Sequence, residues 1–326
     1  MKTRRPIISG QSPSHRGDRG VVPSRITHHA SRSTPHAFSL IEILVVVALL
    51  SFIILGLLAM FDQTKRAFTT GMTQADVLEN GRAAMEIISR EVSQIVPASY
   101  DSNAVTFYAE IAPFAPLWQP LPGVNTEQRR NVLEEMFFLT RETNAWKGIG
   151  YWVGVSDPPP DGVAVPGDPI VAARDYGWGT LYRFQTNTVF RAFPSSPAQL
   201  YDIYDNFNVR RQRMSRIIDG VVHFKVRAFD TRGVWITNNL AANTDISPIQ
   251  KSTYATNEVE YYYFTNNAVP AFVEFELGIL EERVLARVKS IPDAVARRNY
   301  LQGQAGRVHI FRTRVPVRNV DPAAYQ

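Results

Sequence analysis

The residue best placed to do chemistry in this sequence is a carboxylate. Glu42 stands directly before Ile43–Phe61, a run of 19 residues without a charge. A carboxylate at the mouth of such a run is costly in lipid, by about 2.5–3.5 kcal/mol on insertion scales, so it calls for a cationic partner. The chemistry implied is pairing: a paired buried charge is tolerated and can fix register, whereas a stranded one is strongly unfavourable. The plainer alternative is a carboxylate that stays among lipid headgroups and pairs within its own chain. Beyond residue 37 histidine occurs twice, at His223 and His309. Strand alternation puts Val222, Phe224 and Val226 on one face and His223, Lys225 and Arg227 on the other. A strand histidine without a geometric partner is expected to be solvated or hydrogen-bonded, not catalytic. Asp157, Asp161 and Asp168 could offer oxygens to Ca²⁺, but their spacing is not that of an EF-hand. A proline-rich surface loop carrying aspartates is the expected setting, and no metal site is assigned. The sequence has no HExxH, GxSxG, P-loop or GxGxxG pattern. Its lack of cysteine excludes thiolate catalysis, disulfides and Cys-ligated metals. Neither an enzymatic activity nor a cofactor is expected.

The elements that position Glu42 follow from composition. Of 326 residues, 45% are hydrophobic and 20% charged, ordinary values for a folded chain. The net charge of +5 is concentrated at the start: residues 1–37 hold seven Lys/Arg and one acid, leaving 28 basic and 29 acidic side chains elsewhere. A nucleic-acid partner therefore has little support. Residues 1–36, rich in Ser, Pro, Arg and His, cannot bury enough surface to fold. Their cations predict a cytoplasmic N-terminus ahead of a single membrane span, 38–61, with the remainder on the far side of the membrane. Helical periodicity continues past the span. Leu78, Met85, Ile88, Val92 and Ile95 form one stripe, while Glu79, Arg82, Glu86 and Arg90 form possible pairs on another face. One helix is expected from Phe38 to Val96, roughly 88 Å long, with a kink or local melting at Thr69-Thr70-Gly71 and a stop at Pro97.

Beyond Pro97 the period shifts toward two. Strands are expected around Val105–Tyr108 and at Met136–Thr140, Ile149–Val155, Leu181–Phe184, Val189–Phe193, Val221–Phe229, Val259–Phe264, Phe272–Ile279 and Val308–Arg314. Leu181–Phe193 reads as a hairpin around Gln185–Thr188. Residues 157–169, 193–200 and 238–250 read as polar connections, and Glu282–Ser290 and Asp293–Gln302 as helices. The aromatics Trp146, Tyr151, Trp152, Tyr176, Trp178 and Tyr261–Tyr263 are expected mainly in core and hairpin packing, with some available for contacts. Tyr261–Tyr263 must place a ring on each face of its strand. The expected class is α+β: a long N-terminal helix on an antiparallel sheet. The organisation is a basic leader (1–37), a membrane helix (38–61), an amphipathic stalk (62–97) and a β-rich head (98–326).

The stretch His36-Ala37-Phe38-Ser39-Leu40-Ile41-Glu42 followed by an apolar helix resembles the signal of type IV prepilins and type II secretion pseudopilins. The resemblance implies cleavage between Ala37 and Phe38 by a prepilin peptidase, and N-methylation of the new Phe38 amine. It implies a pilin-like fold, retention of the apolar helix, and Glu42 as the partner of a neighbouring subunit's Phe38 ammonium. Two departures are Ala37, where Gly is usual, and a long leader. The head resembles J-type minor pseudopilins and W-type minor pilins through Arg82–Met85, Ser89–Val92, Leu181–Phe184, Val189–Arg191, Ile217–Val221, Phe224–Arg227, Trp235 and Val269–Glu274. The Gly306–Phe311 tail also resembles prepilin-type cassette proteins of verrucomicrobia.

A minor pseudopilin of a type II secretion-like system is the leading functional expectation. Its partners would be the peptidase-methylase, the inner membrane, and other major and minor pseudopilins or pilins. A minor type IV pilin for adhesion, motility or DNA uptake is the related alternative. A membrane-anchored periplasmic enzyme or binding protein with an uncleaved anchor is the alternative from another class.

Overall fold

The computed structural model describes residues 39–98, 101, 103–111, 117–123, 127–142, 145–154, 177–188, 197–239, 244–248 and 259–322. The chain divides into two compact units between Phe61 and Asp62. Helix α1, Leu40–Val92, supplies the described part of the first unit and the opening element of the second.

Every residue of α1 up to Phe61 is exposed, as an apolar helix without protein around it must be. In the second unit the helix buries Val77, Gly81, Ala84, Met85, Ile88 and Val92, spaced to form one stripe. The expected stripe is corrected at its start: Leu78 stays 37% exposed, and Val77 is the buried neighbour. The melting expected at Thr69–Gly71 does not occur. These residues are helical, with the Thr70 hydroxyl donating to the Arg66 carbonyl at 2.9 Å and the Thr73 hydroxyl to the Thr69 carbonyl at 3.1 Å. The helix ends at Val92, four residues before the expected Val96. There Ile95 bridges Thr140 and the Val96 N–H donates to the Leu139 carbonyl at 3.1 Å, so the sheet captures the backbone before Pro97 is reached.

The strands of the main sheet are β1 (Val105–Ile111), β4 (Glu134–Glu142), β5 (Ala145–Gly154), β6 (Gly179–Asn187), β7 (Met214–Phe229), β8 (Thr244–Pro248), β9 (Val259–Thr265), β10 (Phe272–Leu280) and β11 (Val308–Pro316). They run in the order β11-β10-β7-β6-β5-β4-β1-β9-β8, every pair antiparallel. β2 (Leu117–Pro120) and β3 (Gln128–Asn131) form a separate hairpin. The described residues of the head also include the short helices α2 (Ala198–Asp205), α3 (Glu282–Ser290) and α4 (Ala294–Gln302), and a single helical turn at Phe207–Arg210. The protein is α+β, a long helix on an antiparallel sheet.

Both faces of the sheet are covered, so its strands are apolar on both sides. On one face Phe107, Met136, Phe138, Tyr151, Leu181, Phe224 and Phe275 pack against the α1 stripe. On the other, Tyr108, Phe137, Leu139 and Phe184 meet Leu200 and Tyr204 of α2. A Cβ at Gly150 would come within 2.3 Å of the Tyr204 ring, so glycine is what lets α2 lie this close. The same face carries Val222 and Leu280 beneath α3 and α4.

Several expectations are corrected here. β6 continues through Gln185–Asn187, paired with Ile149–Lys147, so no turn occurs at the expected hairpin. Val189–Phe193 lies outside the described residues. Residues 193–200 contain the start of α2, where Pro197 suits a helix entrance, and 238–250 contains β8. Val222 does not share a face with Phe224 and Val226: the register shifts between Gly278 and Ile279, a bulge that turns Val221 toward α1 and Val222 away. α3 and α4 lie where expected, α4 capped by the Asp293 carboxylate accepting from the Ala296 N–H at 2.6 Å.

Candidate functional site

The start of α1 is capped by a serine. Ser39 precedes the first helical residue, and the Glu42 N–H donates to its hydroxyl at 3.3 Å and to its carbonyl at 3.0 Å. Glu42 is thus the third residue of the helix, where a carboxylate complements the unsatisfied N–H groups and positive end of the helix dipole. It is exposed, and beyond it α1 is long and apolar enough to cross a membrane. Ala37 and Phe38 lie outside the described residues. In sequence, residue 38 stands four positions before Glu42, one helical turn.

The other end of α1 is held by a polar clamp that sequence reading missed. Arg183 of β6 grips Glu91 with two donors: Nη2 reaches Oε1 at 2.7 Å and Nε reaches Oε2 at 2.9 Å. The Tyr151 hydroxyl donates to Glu91 Oε2 at 2.5 Å. Tyr151 and Arg183 are directly opposed on β5 and β6, so the sheet presents both donors together. Burial pushes the Tyr151 phenol well above its ordinary range and the Glu91 charge adds to this, so the phenol remains a donor. Burial alone would lower the Arg183 guanidinium, but the Glu91 hydrogen bond and charge, together with Tyr151, outweigh it and hold the cation charged. Glu91 stands on the edge of the apolar stripe, three residues past Ile88 and seven past Ala84, and a carboxylate at that edge is the sequence signal that was available. The expected ladder of Glu79, Arg82, Glu86 and Arg90 forms no ion pairs among the described residues; all four are exposed.

His223 is buried with both ring nitrogens occupied. The Val132 N–H donates to Nδ1 at 3.2 Å, which places the proton on Nε2, 3.3 Å from Glu276 Oε2. Arg227 Nη1 bridges Glu276 at 2.8 Å and Glu274 at 2.9 Å. Burial lowers the His223 pKa, while its hydrogen bond, followed by Arg227, holds Glu276 down to about 2. His223 is thus hydrogen-bonded through both nitrogens within the protein, one of the two settings expected of a strand histidine. Nearby, burial raises the Glu134 carboxyl to about 7 and lowers the Lys225 ammonium to about 8. His309 lies 3.5 Å from the Glu281 carboxylate.

The tyrosines of β9 divide as alternation requires: Tyr262 is buried beside Phe107 and accepts from Trp235 Nε1 at 2.7 Å, while Tyr263 packs against Tyr201 on the opposite face. Asp157, Asp161, Asp168 and Tyr176 lie outside the described residues. Among the described residues no three His, Asp or Glu side chains group as metal ligands.

Residues 32–58 match the family model of the prokaryotic N-terminal methylation motif. The chain carries a prepilin-type processing signal. The matched span covers residues 37 and 38, the Ser39 cap, Glu42 and most of the apolar run, so motif and membrane-length helix coincide. This supports a type IV pilin- or pseudopilin-like protein that is anchored in a membrane, processed by a prepilin peptidase and assembled with other pilins. No curated protein and no solved structure matched the chain.

Proposed function

We propose that this chain is a minor pseudopilin-like subunit of a type II secretion-like system. It is cut between Ala37 and Phe38, methylated on the Phe38 amine, and incorporated into a periplasmic filament through α1. The observation that carries this reading is the methylation motif at residues 32–58 lying on an apolar helix whose every residue up to Phe61 is exposed. In the inner membrane that surface faces lipid; in a filament it faces other subunits. Glu42 then has two functions. Before cleavage it complements the positive end of the helix dipole, and after assembly it accepts the Phe38 ammonium of a neighbour, which fixes the stagger between subunits. The minor-subunit assignment is supported by the segments resembling the J-type group, whose described parts fall in α1, β6, β7 and β10 and, for Trp235 and Val269–Ala271, in the connections between β7 and β10.

Mass spectrometry of membrane-extracted protein from cells with an active prepilin peptidase tests the processing. A chain beginning at N-methyl-Phe38 is expected, and an intact leader refutes the reading. Pull-down after co-expression with candidate minor subunits separates secretion from pilus use: retention by secretion pseudopilins is expected, and retention by pilus subunits alone transfers the protein to the pilus class.

A further inference from the structure

A groove of about 1360 Å³ runs between α1 and the α3–α4 pair, lined only by residues of the second unit. Arg66 contributes from α1, Arg283 and Arg287 from α3, and Arg307 from the turn after α4. Arg307 is engaged with Glu281 at 3.3 Å. The side chains of Arg66, Arg283 and Arg287 make no ion pair or hydrogen bond among the described residues, and all three are exposed. Against them stands one unengaged acid, Glu282. The α3–α4 wall is fixed from inside by Arg297, fully buried, whose Nη2 donates to the Ile291 carbonyl at 2.7 Å and the Pro292 carbonyl at 2.9 Å. Three uncommitted guanidinium groups therefore converge from two elements on one open groove.

We propose that this groove binds the phosphate of an anionic phospholipid headgroup. Guanidinium forks match phosphate oxygens in pairs, and several on one wall favour a phosphodiester over a single point anion. Position along the chain selects lipid as the source. Arg66 follows Phe61, the last residue of the apolar run, by five residues, roughly 7.5 Å of helical rise. The headgroup layer beyond the hydrocarbon is roughly 5–8 Å deep on each side. Tyr300, also in the groove, suits that layer because its ring is apolar and its hydroxyl polar. A bound headgroup would hold the second unit at the bilayer until the subunit is extracted. The proposal rests on the reading of α1 as a membrane anchor.

The test uses the full chain in detergent micelles, with native mass spectrometry reading retained lipid. Phosphatidylglycerol and phosphatidylcholine of the same acyl chains are added in turn. Wild type is expected to retain phosphatidylglycerol selectively. The triple variant Arg66→Gln, Arg283→Gln, Arg287→Gln is expected to bind it more weakly, by roughly fivefold per guanidinium and about a hundredfold in all. The triple variant Arg82→Gln, Arg90→Gln, Arg232→Gln removes the same charge elsewhere and should stay within about twofold of wild type. Equal retention of the two lipids, or equal loss in both triple variants, overturns the proposal. Displacement of phosphatidylglycerol by equimolar inorganic phosphate overturns the lipid assignment. Carbonate extraction of membranes separates the two readings: a chain that resists extraction but shows no lipid preference retains its anchor and lacks this site.

Discussion

From Leu40 to Phe61 every residue of α1 is exposed, whereas from Val77 to Val92 six positions are buried against the sheet. The backbone is the same hydrogen-bonded helix throughout. The two stretches differ in how their apolar groups are distributed. The first is apolar all round and has no inner face to offer a protein core, so lipid or identical helices must surround it. The second concentrates most of its apolar side chains in one stripe and places Glu, Asn, Arg and Ser over much of the rest, the pattern of a helix with one protein neighbour and water elsewhere. Hydropathy around the helix thus reports the surroundings, and only the second stretch should contribute to the stability of the head.

The sharpest way to break that contrast is at Glu91, where the second stretch is bound by charge as well as by packing. Glu91→Ala leaves the Arg183 guanidinium largely buried without its carboxylate and the Tyr151 hydroxyl without its acceptor. Removing one partner of a buried pair costs about 3–5 kcal/mol, and the head should melt roughly 10 °C lower in a detergent-solubilised full chain. A midpoint unchanged from wild type would show that packing alone holds α1 to the sheet.

Next in size is a matched pair of truncations. Ile88 is fully buried in the main core, so Ile88→Ala should destabilise the head by about 2–5 kcal/mol. Leu49 is 59% exposed, and Leu49→Ala should leave the thermal midpoint of the head unchanged. Equal loss from the two variants would mean that the apolar run supports the head, contrary to the comparison.

Acid gives a smaller effect, again confined to the head, because no group titrates between Ile43 and Phe61. Folding buries neutral His223 and places its pKa below the unfolded value of about 6.5. Its contribution is therefore present above pH 6.5 and lost as pH falls below it, by at most about 1.4 kcal/mol per pH unit for one proton. Glu276, held down to about 2, contributes above its unfolded value and loses that contribution as pH falls from about 4.5 toward 2. Glu134 works in the opposite direction, since a carboxyl raised to about 7 gains stability as pH falls from 7 toward 4.5. The difference between wild type and His223→Gln isolates the imidazole. Melting curves from pH 8 to 5 should show wild type losing more stability than the variant below pH 6.5; parallel curves would remove His223 from the acid response.

The same comparison explains what could be read from the sequence. The anchor was legible because a membrane helix is specified by composition over a contiguous run, and its signal by a short string of residues. The α1 stripe was legible to within one residue, Val77 in place of Leu78. Alternation located most strands but not the short β2, β3 and β8, and β6 continues through a polar Gln185–Asn187 because β5 supplies its backbone partners. Val222 was assigned to the wrong face because a bulge in the pairing with β10 leaves no local mark in the sequence. The Glu91–Arg183–Tyr151 clamp joins residues 60 and 92 positions apart, and no local pattern records such a meeting. α2 was hidden because it is only eight residues long, too short to show a helical period, and its docking depends on glycines in another strand.

The smallest predicted effect lies at Gly71, where the two stretches approach one another along the chain. Glycine in a helix interior costs about 0.8–1 kcal/mol relative to alanine. At Gly71 that cost is not repaid by any close approach, since an added Cβ would meet no atom within 4 Å. The helix nevertheless continues through it, with the hydroxyls of Thr69, Thr70 and Thr73 turned back onto carbonyls of the preceding turn. Gly71→Ala should therefore stabilise the helix locally and slow hydrogen exchange at residues 68–75 about fivefold in the full chain. If the joint serves only as continuous helix, filament incorporation in cells should be unchanged. Slower exchange accompanied by lost incorporation would mean that the two stretches must bend at Gly71 to assemble, and that the weak helix former is retained for movement between them.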